Sequence, residues 1–586
     1  MKKKAAGIVF TLTLLAFSNT LGNGFVGDDD ALIVDNTFYK SWENFPRLFK
    51  PGYTIDSDSV FLRSSGDLGT GGVSFRPVTA ATYFVDYSIW KLHSFGFHLT
   101  NLFIHAINGV LVFVLLLRLL DSIPPAFLGS LLFSLHPTKV GAVAAISYRS
   151  DSLATLFLLI SFILFIDFRN RFERWRFWRY AGSILFFALA LFSKESAVIF
   201  FPLLLAYDFH FFRRTIGPSW KTVYPGYLAI LFGYLYLYFF AFTNSTLSAA
   251  THSGITFATN MTLILKIFAG YLIKDLLLLR PYDLPPLYSP VLIPGPSLEA
   301  MAGAALFLGT IIAIILTSRR EKTLSFLLLW FLLSLIPVSN IIPLANPMAH
   351  RYLYLPSIGI LAAGAIVFER WYTQDAGFSP SFKFWLKNIL LGYLLIVTVQ
   401  ANSLWQNNFM LAQSWVKHFP NYWKGYTILG TEYFKAGLCA PAIIYLNRSL
   451  QLASSDPRIY FMLGACEWKD LALAEENFLK SIRMAPDYGD AHWGLGHLYF
   501  LHAEYEKAVP YLQEALRLAP DNYRVYKTLI QTSLALGYNS HAQEIYVEAQ
   551  RQIKDPRLLK KISDLFEERP SDQPAPSPVS FDEKEP

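Results

Sequence analysis

The chain has 586 residues, 53% of them hydrophobic and only 16% charged, with a net charge of +7. A soluble fold of this size carries charge on roughly a quarter of its residues, so that class is excluded, and the apolar residues recur in runs of about 17 to 25, the length that crosses a bilayer. The positive balance calls for no nucleic acid, because Lys and Arg accumulate on the cytoplasmic side of membrane spans.

Lys2 to Lys4 precede an apolar run from Ala5 to Leu21. A signal peptide cut near Ala16-Phe17-Ser18 is one reading; an uncleaved first span is preferred, because ten further spans follow. Next come Phe25-Val26-Gly27-Asp28-Asp29-Asp30 and Ala31 to Asn36. Three carboxylates at the mouth of a span repel one another and hold water. They are costly unless a cation, a hydroxyl or a catalytic task keeps them there. A solvated acidic loop is the plainer alternative.

The lysines place the N-terminus inside, so 25–95 becomes a long first loop on the non-cytoplasmic side. Spans follow at 97–117, 122–135 and 152–168, the last descending to Arg169, Arg171, Arg174, Arg176 and Arg179. This is the strongest positive-inside signal in the chain. Further spans are expected at 180–193, 196–212, 223–242, 299–317, 323–337, 353–368 and 388–404. The segment 261–280, with Lys266, Lys274, Asp275 and Arg280, reads as an interfacial or re-entrant helix instead. Eleven spans leave everything after about residue 405 on the side of the acidic loop.

From about residue 421 the chain turns charged, helical and Ala-rich. Leu495-Gly496, Tyr499, Ala508, Leu512, Ala515 and Pro520 have tetratricopeptide spacing, with small residues where two helices cross. Leu463-Gly464, Ala474 and Pro486 form a unit two residues short. Leu429-Gly430, Tyr433 and Ala442 form an earlier unit, and Ala542, Tyr546 and Ala549 a later one. The expected organisation is all-α: a polytopic membrane helix bundle over 1–405, a repeat solenoid over 421–554 and a disordered proline-rich tail over 568–586. Cys439 and Cys466 define neither a disulfide framework nor a zinc spacing.

Polar groups gather at the outer ends of the spans: Arg76-Pro77, His98 and His105, His136-Pro137-Thr138-Lys139, Arg149 and Asp151, Lys194-Glu195, and His350-Arg351 through Ser357. Cations would hold a phosphate there, and a carboxylate would take a proton. Each has a plainer alternative: Lys194 and Glu195 as a local ion pair, Arg76 and Arg351 snorkelling to headgroups, His105 bridging helices, His136 capping one.

Taken in order, Phe25-Val26-x-Asp28-Asp29 with Asn36, Arg76-Pro77, Phe97-His98-Leu99-x-Asn101 with His105-Ala106, His136-Pro137, Arg149-x-Asp151, Ser193-Lys194-Glu195 with Tyr207-Asp208, and Arg351 through Ser357 closely resemble the transmembrane and tetratricopeptide-repeat O-mannosyltransferases. That family lies within the membrane glycosyltransferases of type C fold. The resemblance runs from Phe25 to about Val547.

It implies transfer of a mannose-like sugar, with inversion, from a polyprenyl-phosphate donor to a protein hydroxyl on the non-cytoplasmic face. Asp28 would be the base with Asp29 beside it. Arg76, His105, His136, Arg149, Asp151, Lys194, Glu195 and Arg351 would bind donor phosphate or substrate. No cofactor is required, although Asp28, Asp29 and Asp30 offer oxygen ligands to a divalent cation. The partners implied are the donor lipid, the bilayer and an acceptor held by the repeats. One departure stands out: where the family reads His-Pro-x-His-Thr-Glu-Ala-Val-Ala, this chain has Lys139 and Gly141, losing a carboxylate and gaining a cation. The same chemistry on a glycan or lipid acceptor, and a non-enzymatic scaffold or transporter, remain as alternatives; a transporter predicts duplicated spans with broken central helices, whereas no such duplication is seen and the polar groups cluster at one face instead of at mid-membrane.

Overall fold

The computed structural model describes residues 1–36, 38–49, 75–170, 174–212, 220–241, 257–276, 297–341, 344, 347–374, 378–452, 454–553 and 555–567. Among them there is no strand, and the expected tail at 568–586 lies outside them. Two compact units appear, one running to Ser414 and the other beginning at Trp415.

In the first unit, helices occupy the apolar runs closely. They include Lys2–Phe17, Ser94–Leu120, Ile123–Ser134, Arg149–Asn170, Arg176–Leu191, Phe200–Phe211, Tyr224–Tyr236, Leu298–Thr317, Lys322–Leu335, Ser357–Thr373 and Pro380–Ser403. Their lengths differ from expectation. Among the described residues five are long and apolar enough to cross a bilayer: Lys2–Gly22, Ser94–Leu120, Ile146–Asn170, Leu298–Thr317 and Pro380–Ser403. Eleven spans are therefore not matched one for one. Several runs end early in tight 3-10 turns, at Pro137–Lys139, Glu195–Ile199 and Ile336–Val338, and two of these open on or contain a proline, which lacks the N–H that would continue a helix.

Small and polar residues set the packing. A Cβ on Gly109 would lie 2.3 Å from Ser134 Oγ and 3.3 Å from Val9 Cγ1, so three helices meet at this bare backbone, as close membrane crossings require. The first helix is part of the bundle: Val9, Thr13, Ala16 and Phe17 are buried, and the Phe17 ring lies 4.7 Å from that of His105. At the opposite end, Arg169 and the Tyr224 hydroxyl share the buried Asp208 carboxylate at 3.0 and 2.7 Å. Leu298–Thr317 exposes Leu308, Ile312, Ile315 and Leu316, an apolar surface suited to lipid.

The second unit stacks four helix pairs: Trp423–Lys435 with Cys439–Gln451, Pro457–Cys466 with Leu471–Met484, Gly489–Leu501 with Tyr505–Leu518, and Tyr523–Ala535 with Asn539–Gln552. Pro556–Glu567 follows, its Ile562 buried against the same core. The small residues read from the sequence sit where paired helices cross. Ala442, Ala474, Ala508 and Ala542 are fully buried, and a Cβ on Gly496 would reach within 2.7 Å of Leu512 Cγ. The short second unit has a first helix of 10 residues, against 13 in the first and third units.

The cysteines correct the expectation. Cys439 opens the second helix of the first pair and Cys466 closes the first helix of the next, and they form a disulfide with Cα atoms 5.3 Å apart. Their sequence separation of 27 gives no framework pattern, because only repeat stacking brings them together. We expect alkylation of the native, unreduced full chain to modify neither thiol, and prior reduction to expose both; mass spectrometry that finds labelled Cys439 without reduction refutes the bridge.

Candidate active site

The acidic loop is fixed by residues far along the chain. Gly27 has φ +63, a left-handed bend that favours glycine. Its N–H donates to Asn408 Oδ1 at 2.7 Å, and the Gly24 N–H donates to the Gln406 carbonyl at 2.9 Å. The three aspartates that follow have separate fates. Asp29 is fully buried and accepts backbone N–H bonds from Val26 (3.2 Å), Ile146 (3.2 Å) and Ser147 (2.7 Å). Asp30 accepts from Asn408 Nδ2 at 3.0 Å. Asp28 is half-buried and takes the Tyr148 hydroxyl at 3.2 Å.

This geometry does not fit a divalent cation held by all three aspartates. Both Asp29 oxygens are occupied by amides, and among the described residues no three His, Cys, Asp or Glu side chains converge as ligands. The structure separates a positioning carboxylate, Asp29, from an accessible one, Asp28. Burial pushes the Asp29 pKa up to about 6, with the amide bonds from Ser147, Val26 and Ile146 opposing it. Desolvation wins despite three donors.

From Tyr148 the site continues as an alternation of rings and charges. The Arg351 guanidinium lies 4.0 Å from the Tyr148 ring centre and 5.0 Å from that of Tyr352. Lys194 Nζ sits 5.7 Å from the Tyr352 ring centre as well and is paired with Asp151. Arg76 grips Glu195 through two bonds of 2.9 and 2.7 Å and reaches Ser150 Oγ at 3.4 Å. Lys194 and Glu195 thus do not pair with each other; each closes onto another element. Partial burial would raise the Glu195 pKa, yet Arg76 holds it at about 2, and burial keeps the Lys194 ammonium below the ordinary lysine range even with Asp151 beside it. Among the described residues Arg351 forms no ion pair.

Arg351 and Tyr148 border a cleft of about 470 Å³, its open mouth included, shared with Gly141, His350, Trp405 and Ser414. A second hollow of about 360 Å³ lies against Asp151, Ser196, Tyr352 and Tyr354.

Other expected site residues are committed to the scaffold. Arg149 is fully buried, bonded to Asp86 (2.6 Å), Asn101 Oδ1 (2.6 Å), Thr82 Oγ1 (2.9 Å) and the Phe97 carbonyl (3.0 Å). His105 bridges the Tyr354 hydroxyl at 2.7 Å and the Ser134 carbonyl at 3.1 Å. His136 caps the turn at Pro137 through the Thr138 N–H, and burial, reinforced by Lys139, lowers its pKa to about 3. Lys139 is itself fully buried, bonded to Ser357 Oγ at 2.6 Å and Thr138 Oγ1 at 3.0 Å, with burial lowering its pKa to about 7. Asn36 is buried and its side chain accepts the Phe38 N–H at 2.9 Å. Tyr148, Trp405 and Asn408 are the residues that sequence reasoning missed; Tyr148 adjoins the Arg149-x-Asp151 motif, the one signal that pointed to it.

A tetratricopeptide-repeat family model matches residues 489–522. Curated relatives are protein O-mannosyl-transferases. One from Caenorhabditis elegans is 26% identical over 375 residues, covering 62% of this chain and 51% of its own length. TMTC3 of Homo sapiens is 22% identical over 595 residues, covering 93% of this chain and 64% of its own. Tmtc2 of Drosophila melanogaster reaches 30% over 196 residues, or 32% of this chain and 20% of its own length. The resemblance read from the ordered motifs is thus to the same proteins, and the chain spans less than two thirds of the length of these relatives. Solved structures with similar stretches include MamA, with a TM-score of 0.23 at 22% identity over 25% of this chain and 85% of that one. The tetratricopeptide protein YrrB gives 0.24 at 12% identity over 34% and 97%.

The buried Asp29 carries a stability signature. Its folded pKa lies above the ordinary carboxylate value of 3.8, so its contribution is complete below about pH 4 and is lost as pH rises through about 6. The loss amounts to about 3 kcal/mol. Asp29→Asn, which cannot ionise, should abolish this part of the slope in thermal melts of the detergent-solubilised protein between pH 4 and 7. Identical slopes in the two proteins would refute the assignment.

Proposed function

We propose that this chain, a relative of the protein O-mannosyl-transferases, is an integral-membrane glycosyltransferase. It moves a mannose-like sugar from a polyprenyl phosphate to a hydroxyl of a protein acceptor on the non-cytoplasmic face. The observation that carries this reading is the pairing of the half-buried Asp28 carboxylate with Tyr148, 3.2 Å away, whose ring in turn holds Arg351 at 4.0 Å. A proton acceptor and a cation thereby flank one aromatic side chain at the edge of a cleft.

The chemistry follows from that placement. A hydroxyl is a weak nucleophile at neutral pH, so its proton must leave as its oxygen attacks. Asp28 accepts that proton while the acceptor oxygen bonds to the anomeric carbon from the face opposite the phosphate. The bond from carbon to phosphate oxygen breaks, configuration inverts, and the polyprenyl phosphate departs with the electron pair. Arg351 stabilises the charge that grows on this leaving group, acting in a partly dry site where a fixed cation is worth more than in water. Lys194 and Arg76 are balanced by Asp151 and Glu195, so they shape the field without adding much net charge.

Two further features support the placement. Stacked helix pairs offer an extended surface for an acceptor polypeptide. The Cys439–Cys466 bridge suits an oxidising compartment, which agrees with repeats on the non-cytoplasmic side.

Asp28→Asn should lower the rate of polyprenyl-phosphate release by about 10²- to 10⁴-fold while the melting temperature stays unchanged; full activity in a folded variant rules out the base. Arg351→Ala should raise the donor KM about tenfold, with Arg351→Lys recovering part of the loss; an unchanged donor KM in Arg351→Ala removes Arg351 from the phosphate site.

A further inference from the structure

Gly141 lies in the short helix Val140–Ala144, whose other four residues are all buried. Its backbone is not in the left-handed region, so its conformation does not require glycine. Packing does not require it either: an added Cβ would meet a single atom within 4 Å, Trp405 Cζ2 at 3.9 Å. Glycine in a helix costs about 1 kcal/mol relative to alanine. The position therefore forgoes helix stability and leaves space on the wall of the cleft.

The cleft has the surroundings of a sugar site. Tyr148 and Trp405 meet edge to face, with ring centres 6.3 Å apart at 82°, and both border the space beside Gly141. Aromatic faces accept the C–H surface of a pyranose, while Arg351 and Ser414 around the same space supply polar groups for its hydroxyls. A prenyl chain could not answer those two groups with hydrogen bonds, at a cost. The Asp28 carboxylate reaches the cleft edge through its bond to Tyr148. Building on the transferase reading above, we propose that this cleft seats the sugar ring of the donor and that Gly141 sets the size of sugar it admits.

The test is a pair of substitutions with a remote control. Gly141→Leu fills the space, Gly141→Ala fills part of it, and Gly309→Leu alters a lipid-facing helix where a Cβ meets nothing within 4 Å. Two quantities are measured on the purified full chain: KM for polyprenyl-phosphate mannose, and the inhibition constant of sugar-free polyprenyl phosphate. Gly141→Leu should raise KM at least about tenfold and Gly141→Ala about threefold, with the inhibition constant held within about twofold in both. Gly309→Leu should change neither. Equal weakening of the sugar-free lipid would assign the cleft to the prenyl phosphate and overturn the proposal, as would an unchanged KM in Gly141→Leu. Should Gly141→Leu fail to fold, an unchanged KM in Gly141→Ala overturns it equally. Wild-type protein that releases no prenyl phosphate from any sugar donor overturns the transferase reading, and this proposal with it, a result distinct from either of the others.

Discussion

The Asp29 carboxylate, buried among the N–H groups of Val26, Ile146 and Ser147, ties the acidic loop to the start of a helix more than a hundred residues away. Everything near the cleft depends on that anchorage. It fixes Ile146–Tyr148, which sets where the Tyr148 ring stands, and the ring locates both Asp28 and Arg351. An ionised carboxylate in such surroundings is held against its own preference, since burial outweighs three amide bonds. The surrounding bundle must over-determine the arrangement for it to persist.

The charged groups around the cleft share one design. Two of the cations are matched by carboxylates from different elements, Lys194 by Asp151 and Arg76 by Glu195. Such pairs bring little net stability when buried, yet removing one partner strands the other. They therefore act as registry devices between the segment at Arg76, the helix beginning at Arg149 and the turn at Glu195. Arg149 extends the same logic deeper, fully buried with five partners including the Tyr83 ring at 4.9 Å. Among the described residues Arg351 is the one guanidinium at the cleft that forms no ion pair.

Helix positions were largely legible in the sequence, because long apolar runs and positive flanks carry them locally. The repeats were legible for the same reason: Gly496 and Ala508 mark a helix crossing within one unit. Three things were not. Which aspartate is accessible depends on amides at Ile146 and Ser147, and no local pattern near Asp28 encodes that. Arg149, His105 and His136 look like binding residues by type and order, but their partners, Asp86, Tyr354 and Thr138, turn them inward. Cys439 and Cys466 are joined by stacking of repeats, a relation invisible along the chain. Span lengths were less legible: among the described residues five helices are long and apolar enough to cross a bilayer and shorter apolar helices such as Ile123–Ser134 fill other runs, since an apolar run ending in a proline-bearing turn such as Pro137–Lys139 reads the same as a full-length helix.

The bonds from Gly27 to Asn408, from Gly24 to Gln406 and from Asn19 to the Val399 carbonyl bear on how the protein is made. They join residues separated by 380 or more positions, at the two ends of the membrane unit. A ribosome adding about 5 to 20 residues per second takes roughly 20 to 75 s to cover that distance. During this interval the acidic loop has left the ribosome without the residues that shape it. The nascent bundle thus emerges with its acidic loop unarranged, and the cleft comes into being only once the helix Pro380–Ser403 has been inserted and has carried Asn408 to the loop.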